Sequence, residues 1–302
     1  MSEVVIARQL IERGYGHDEI ARLIRRRELT RVRRGAYAWS DTDDRRARHR
    51  RLIDAALRLS STDVVVSHLS AAALHGLPFY RDTPNRVHLS RDGRNGGYVR
   101  GRVHLHAVPL TAGDRTELEG RPVTSLARTV VDVARLLPDR RAVAFADAAL
   151  AIGLTPADAE PVLQLFQGHP GIGRARRVIA FADGRSESAG ESESRVLLAD
   201  LGLPAPTLQY EVFTPTGELV GRCDYAWEEH QTLAEFDGLI KYGRLLKPGE
   251  TSSDVIVAEK IREDALRDLG WQVVRWIWDD LARPALIADR LHRAFARASR
   301  TR

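Results

Sequence analysis

The clearest alternation of apolar and polar positions lies late in the chain, in two runs, 219–227 and 232–237, separated by the polar stretch 228–231. Alternation at a period of two predicts a pair of strands, and the short polar break predicts a hairpin. A hairpin symmetric about Glu229 and His230 sets Asp224 opposite Glu235 and Arg222 opposite Asp237. Strand side chains alternate faces, so Asp224, Glu235 and Asp237 share one face. Cys223, Tyr225, Trp227, Ala234 and Phe236 are expected on the other, which faces the core. Around this hairpin the pattern predicts a strand at 207–213 and a helix at 255–269 closed by Gly270. A strand at 271–278 and a helix at 280–298 follow. A helix at 191–201 precedes them, with acids in its first turn, where the helix dipole favours them.

The first forty residues read differently. Segments 4–13 and 17–26 predict two short helices around Gly14-Tyr15-Gly16, followed by a basic alternating stretch broken at Gly35. Helix, turn, helix and a basic hairpin is the layout of a winged helix-turn-helix, in which the second helix enters the major groove and the wing grips phosphate. Seven arginines fall between Arg22 and Arg34. Arg22, Arg25, Arg26, Arg31, Arg33 and Arg34 are the candidate DNA contacts, with Arg33 and Arg34 foremost for phosphate; a small helical cap with a solvated arginine face is the alternative. In the middle, helices are expected at 45–59, 67–76, 123–137 and 141–151. Strands are expected at 64–66, 86–90 and 103–107, and 162–182 reads as helical with a break near Gly171 and Gly173.

Composition narrows the classes. At 302 residues with 43% hydrophobic content the chain has material for two or three packed domains. A net charge of +5 and a pI near 9.6 point to a polyanionic partner. The single cysteine, Cys223, excludes an intramolecular disulfide and a Cys-based zinc site, and its core-facing place reads as a small buried hydrophobe. No apolar run is long enough for a membrane span or a leader, so a cytoplasmic location without membrane attachment is expected. His68, His75, His88, His104 and His106 fall in the middle segment, and His104 and His106 share a strand face at a spacing that metals use. No Cys or His-Glu-x-x-His pattern accompanies them, so hydrogen-bonded core or surface histidines are the expectation. Ser67 and Ser125 lack a nucleophile elbow.

Carboxylates directly opposed in a sheet repel, and a hard divalent cation relieves this. An ordinary polar face, with acids in water or paired to Arg222, does so as well. The order Asp224, then Glu235-x-Asp237-Gly238, resembles the PD-(D/E)XK nucleases, in particular the branch similar to very-short-patch-repair endonucleases. The run S-E-S-A-G-E-S-E-S-R, with Glu191, and the segment from Glu259 to Trp278 extend that resemblance from Ser186 to the C-terminus. It implies an αβββαβα domain in which Asp224, Glu235 and the Phe236 backbone carbonyl hold Mg²⁺ or Mn²⁺. Glu191 then holds a water or second metal, and Gln209 faces the same site. The lysine of that family would stand at 237, where this chain has Asp237; Lys241 and Lys260 are the nearest replacements. Residues 31–38, 67–78 and 123–132 resemble AbiEi-type antitoxins, which implies a DNA reader followed by a scaffold, a cognate toxin or defence partner, and room for a homodimer. The expected architecture is therefore multi-domain α+β: 1–40 winged helix-turn-helix, 45–183 mixed α/β, 186–302 nuclease-like. The implied function is a metal-dependent DNA endonuclease. Its rivals are a non-catalytic DNA-binding regulator or antitoxin and, more remotely, an RNA nuclease.

Overall fold

A computed structural model describes residues 4–79, 84–93, 95–238 and 252–299. The fold is mixed α/β with three sheets. The chain forms two compact units, Met1–Pro138 with Ile152–Phe181, and Asp139–Ala151 with Ala182–Arg302. The expected 1–40 segment lies within the first unit, and the expected 45–183 segment is shared between the two.

The first unit opens with β1 (Val4–Ile6), α1 (Ala7–Glu12), α2 (His17–Arg25), β2 (Thr30–Arg33) and β3 (Ala36–Ala38). The helix expected over 4–13 therefore begins at Ala7. Val4, Val5 and Ile6 are β-branched and pair with Ala38, Tyr37 and Ala36, so sheet formation overrides the helical pattern. Val5, Leu10, Ile20, Leu29 and Tyr37 form the small core beneath.

Next come α3 (Arg45–Arg58), β4 (Val65–Val66), α4 (His68–Leu74), β5 (Val87–Asp92), β6 (Tyr98–Arg100), β7 (Val103–Val108), β8 (Arg115–Leu118), β9 (Arg121–Thr124) and α5 (Leu126–Leu136). Asp44 caps α3 by accepting the Arg46 and Ala47 amides. The six strands run in the order β6-β7-β5-β4-β9-β8, with Leu52, Ile53, Val66, Ala71, Leu89 and Val123 packed against them. The hairpin β8–β9 was not expected. Its turn, Glu119-Gly120, takes left-handed angles at both residues (φ 51° and 75°), as a tight hairpin turn demands, without an Asn-Gly signal. Helix α6 (Asp139–Ala151) leaves for the second unit; α7 (Pro156–Leu165) and α8 (Ile172–Phe181) return to the first.

The second unit adds α9 (Ala189–Asp200), β10 (Thr207–Phe213), β11 (Leu219–Trp227), β12 (Thr232–Asp237), α10 (Ser252–Asp268), β13 (Gln272–Ile277) and α11 (Pro284–Ala298). From α9 onward the element order is αβββαβα. The sheet runs β10-β11-β12-β13, antiparallel until the parallel pair β12–β13. One face carries Leu197, Tyr225, Trp227, Phe236, Trp276 and Ile287. The other carries Val212, Cys223, Ala226, Leu233 and Leu266. Cys223 is thus buried as expected but on the opposite side from Tyr225. On the neighbouring strand Leu208 pairs with Tyr225 and Tyr210 with Cys223, while Gln209 between them stands at φ 53°. Trp276 is core, its indole N–H donating to Ser194 Oγ at 2.8 Å. No helix among the described residues is long and apolar enough to cross a membrane.

Candidate carboxylate site

The strands β11 and β12 pair Trp227 with Thr232, Ala226 with Leu233 and Tyr225 with Ala234. A 3-10 turn at Glu228–His230, closed by Gln231 at φ 41°, joins them. Extending this register sets Asp224 across from Glu235, as the symmetric hairpin predicts. The ladder itself stops one pair earlier. Asp224 Oδ2 accepts the Phe236 backbone N–H at 2.7 Å, so a carboxylate replaces a carbonyl as the partner of that amide. The Phe236 ring lies against the start of α9 so closely that a Cβ on Gly190 would overlap it. Glu191, the next residue, is thereby brought to the same end of the sheet. Its Oε2 accepts the Gln209 side-chain amide at 2.9 Å and the Glu187 N–H at 2.8 Å. Its carbonyl accepts the Tyr225 hydroxyl at 2.8 Å.

Glu235 is buried. Arg262 Nη2 donates to both of its oxygens, at 2.7 and 2.9 Å, and Arg275 Nη2 lies 3.0 Å from Oε2. Glu259 bridges the two arginines, 2.6 Å from Arg262 and hydrogen-bonded to Arg275. Burial works against the Arg262 charge, yet the hydrogen bonds and charges of Glu259 and Glu235 raise its pKa above the ordinary guanidinium value. Burial likewise opposes ionisation of Glu259, but its hydrogen bond to Arg262 and the two guanidinium charges leave its pKa lowered. Glu259 is depressed in the folded state, so its contribution is complete above the ordinary carboxylate pKa and is lost as pH falls through the lower folded value. The Cys223 thiol is pushed up to about 12, by burial first and then by the Glu235 charge, and is no nucleophile at neutral pH.

Among the other expected participants, Asp237 is half-buried at the end of β12, level with Ile277. Arg222, expected across from Asp237, donates instead to Glu187 at 2.8 Å. Lys241 lies outside the described residues. Lys260 is exposed on α10, and Asp264, its expected partner, lies 3.7 Å from Arg267. The cation at Glu235 is Arg262, two residues on, joined by Arg275; the sequence reading missed both, and Glu259. Glu259, Arg262, Glu263 and Leu266 recur at i, i+3, i+4 and i+7, the spacing of one helix face, and that signal would have found them.

The N-terminal arginines divide by exposure. Arg22, Arg25, Arg26, Arg31 and Arg34 are exposed, whereas Arg33 is half-buried and burial lowers its pKa. Arg31, Arg33 and Arg34 line one cleft with Tyr98, Arg100 and Arg102, so the basic surface of β2 continues onto β6 and β7. The last three were not anticipated, because β6 is short and its neighbourhood in the sheet is set by distant strands.

The histidines of the middle segment converge. Among the described residues, the one set of three metal-ligating side chains whose donor atoms lie within 4.8 Å of one another is His68, His88 and His106. Burial pushes His49 and His88 down to about 4 and His106 down to about 3, with neighbouring imidazoles adding to the shift at His88 and His106. The unfolded chain takes up these protons near pH 6.5, and the folded chain refuses them until about pH 4 or below. Metal-free protein is therefore expected to lose stability as pH falls from 6.5 to 4, by up to about 1.4 kcal/mol per pH unit for each such imidazole. Urea titrations at pH 7, 6 and 5 measure this; a flat profile refutes it.

No family model matches the chain. It is 36% identical over 233 residues to the uncharacterized protein Rv2248 of Mycobacterium tuberculosis strain ATCC 25618 / H37Rv, across 76% of this chain and 80% of that protein. The uncharacterized protein MT2308 of strain CDC 1551 / Oshkosh matches to the same extent. Among solved structures, RV2827C from Mycobacterium tuberculosis aligns with a TM-score of 0.40 and 18% identity, over 70% of this chain and 84% of that one. Identity at that level along most of both sequences places this chain in the same family as Rv2248 and MT2308.

Proposed function

We propose that the protein is a metal-dependent DNA endonuclease, its first unit holding the duplex and its second hydrolysing phosphodiesters with Mg²⁺ or Mn²⁺. The observation that carries this reading is the joining of Glu191, Asp224 and Glu235 by one αβββαβα unit. The Asp224–Phe236 hydrogen bond and the Phe236–Gly190 contact tie β11, β12 and the start of α9 together. Asp224, Glu235 and the Phe236 carbonyl offer oxygens alone, the donor type a hard cation takes. Bound there, such an ion supplies charge neutralisation at the scissile phosphate and an acidified water. Arg262 must then release Glu235, and its fixed, permanently charged guanidinium becomes the group available to a phosphoryl oxygen, the office of the missing lysine. Asp237 serves as a further ligand or proton acceptor, and Glu191 holds Gln209 in place.

A second reading has its own support. Arg262 and Arg275 already neutralise Glu235, as in a unit that grips DNA or a partner without cutting, so a DNA-binding regulator or antitoxin is the alternative. Plasmid nicking with Mg²⁺, Mn²⁺ or EDTA, beside Asp224→Ala and Glu235→Ala, separates the two. Metal-dependent cleavage lost in both variants is the expected result. Absence of cleavage on duplex, nicked and single-stranded DNA and on RNA, with salt-sensitive DNA binding retained, establishes the regulator instead. Binding itself makes a separate expectation: Arg31→Ala with Arg34→Ala should weaken affinity evenly across sequences. The double variant should also flatten the dependence of log affinity on log salt by about 2.

A further inference from the structure

We propose that His68, His88 and His106 form a binding site for a single first-row transition metal ion, Zn²⁺ foremost, with its fourth coordination position open. The site lies wholly in the first unit and does not depend on the nuclease reading.

The three ligands come from three elements. His88 sits on β5 and His106 on β7, neighbouring parallel strands whose register pairs Ser90 with His106. His68 is the first residue of α4, directly after β4, the strand on the other side of β5. His88 Nδ1 and His106 Nε2 stand 3.0 Å apart. Two nitrogens on one tetrahedral zinc, each about 2.0–2.1 Å from the metal, are about 3.3 Å apart, so the pair needs only a few tenths of an ångström of opening. The His68 ring is stacked on the His106 ring, centroids 3.7 Å apart and planes 16° from parallel, so ion binding requires the His68 ring to turn its donor edge toward the other two.

Two further observations point the same way. His68 holds a left-handed backbone at φ 50°, an uncommon state for a residue with a side chain, at a position 5% exposed. Strain of this kind persists where the surroundings fix a side chain for a task. His68 Nδ1 is 3.0 Å from Ser67 Oγ and 3.9 Å from Asp132 Oδ2. Asp132 is fully buried, and its Oδ1 has no hydrogen-bond partner among the described residues. The Ser67 hydroxyl occupies Nδ1 and leaves Nε2 as the donor, and a hydrogen-bonded second nitrogen is what orients a metal-ligating histidine. The donor set decides the class of ion. Three imidazoles with neither thiolate nor carboxylate suit zinc, cobalt, nickel or copper, while Mg²⁺ and Ca²⁺ require oxygen. His106 and His104 are only half-buried, so the fourth position opens toward solvent on their side.

The test uses the full chain, stripped with a chelator and titrated with Zn²⁺ in competition with a chromophoric chelator. Wild type and the exposed-site control His17→Gln are expected to bind one equivalent. His106→Gln and His88→Asn, checked for folding by circular dichroism, are expected to bind at least ~100-fold more weakly. In wild type, Co²⁺ should give the intense visible bands of a four-coordinate nitrogen site, and Zn²⁺ should raise the melting temperature; neither readout depends on a variant folding. Unchanged affinity in both variants, or wild type with no cobalt bands and no thermal shift, overturns the proposal.

Discussion

Arg128→Met is expected to cost the first unit about 3–5 kcal/mol, the range for removing one partner of a buried charge pair. Arg128 has no exposed surface. Its Nε donates to Asp132 at 2.9 Å and its Nη1 to the Pro109 carbonyl at 2.8 Å, with Asp114 at 3.2 Å. The guanidinium lies over the ring of Phe166, the C-cap of α7, at 4.4 Å, linking α5 to the end of that helix. Methionine fills the space but leaves two buried carboxylates without their main cation. Burial alone already raises the Asp132 pKa and Arg128 opposes that shift, so Asp132 is expected to take up a proton once Arg128 is gone. Adding Asp132→Asn to Arg128→Met should recover part of the loss. Hydrogen exchange of the amides of α5 and β9 under native conditions measures it. Protection changed by less than tenfold would show that the pair contributes little.

The second large effect is expected at Gly190. A methyl group there meets the Phe236 ring, and the residue lies in a helix, so the penalty is one of space and not of backbone angle. Overpacking of this kind costs about 1–3 kcal/mol or more. Relief requires α9 to move from β12, which separates Glu191 from Asp224. Gly190→Ala is thus expected to lower the urea midpoint of the second unit and, under the nuclease reading, to abolish cleavage while DNA binding by the first unit survives. Phe236→Leu in the same chain should restore part of the stability. A midpoint unchanged by Gly190→Ala would mean that the ring is free to turn away.

Much of the second unit was legible because its strands are long and alternate cleanly. The hairpin register follows from the symmetry of two runs about four polar residues. What escaped was set elsewhere. Cys223 packs with Val212, Ala226 and Leu233 and not with Tyr225, a placement that a period of two along β11 does not record. Arg262 departs from the family pattern, which supplies a lysine, although helical spacing from Leu266 leads to it. In the first unit, Val4–Ile6 carries a helical pattern and a β-branched composition at once, and pairing with Ala36–Ala38 decides between them. His104 and His106 were legible as a spacing, but His68 and His88 join His106 only through the strand order β7-β5-β4. The resemblance of Ser67–Pro78 and Val123–Asp132 to antitoxins implies a scaffold. Arg128 and Asp132 fit that reading, and His68 adds chemistry to it.

Helix α6 belongs to the second unit, yet α7 and α8, which follow it, belong to the first. The polypeptide therefore crosses between the units three times. During synthesis α6 emerges before the segment it must pack on, and its buried Asp147 waits for Arg195 and the Asp183 amide. Truncation at residue 182 would yield neither a complete first unit nor a complete second: one fragment keeps an orphaned helix, the other a buried arginine without its acid. Gene fusions, limited proteolysis and fragment exchange should accordingly treat the two units as one inheritable piece, despite their separate cores.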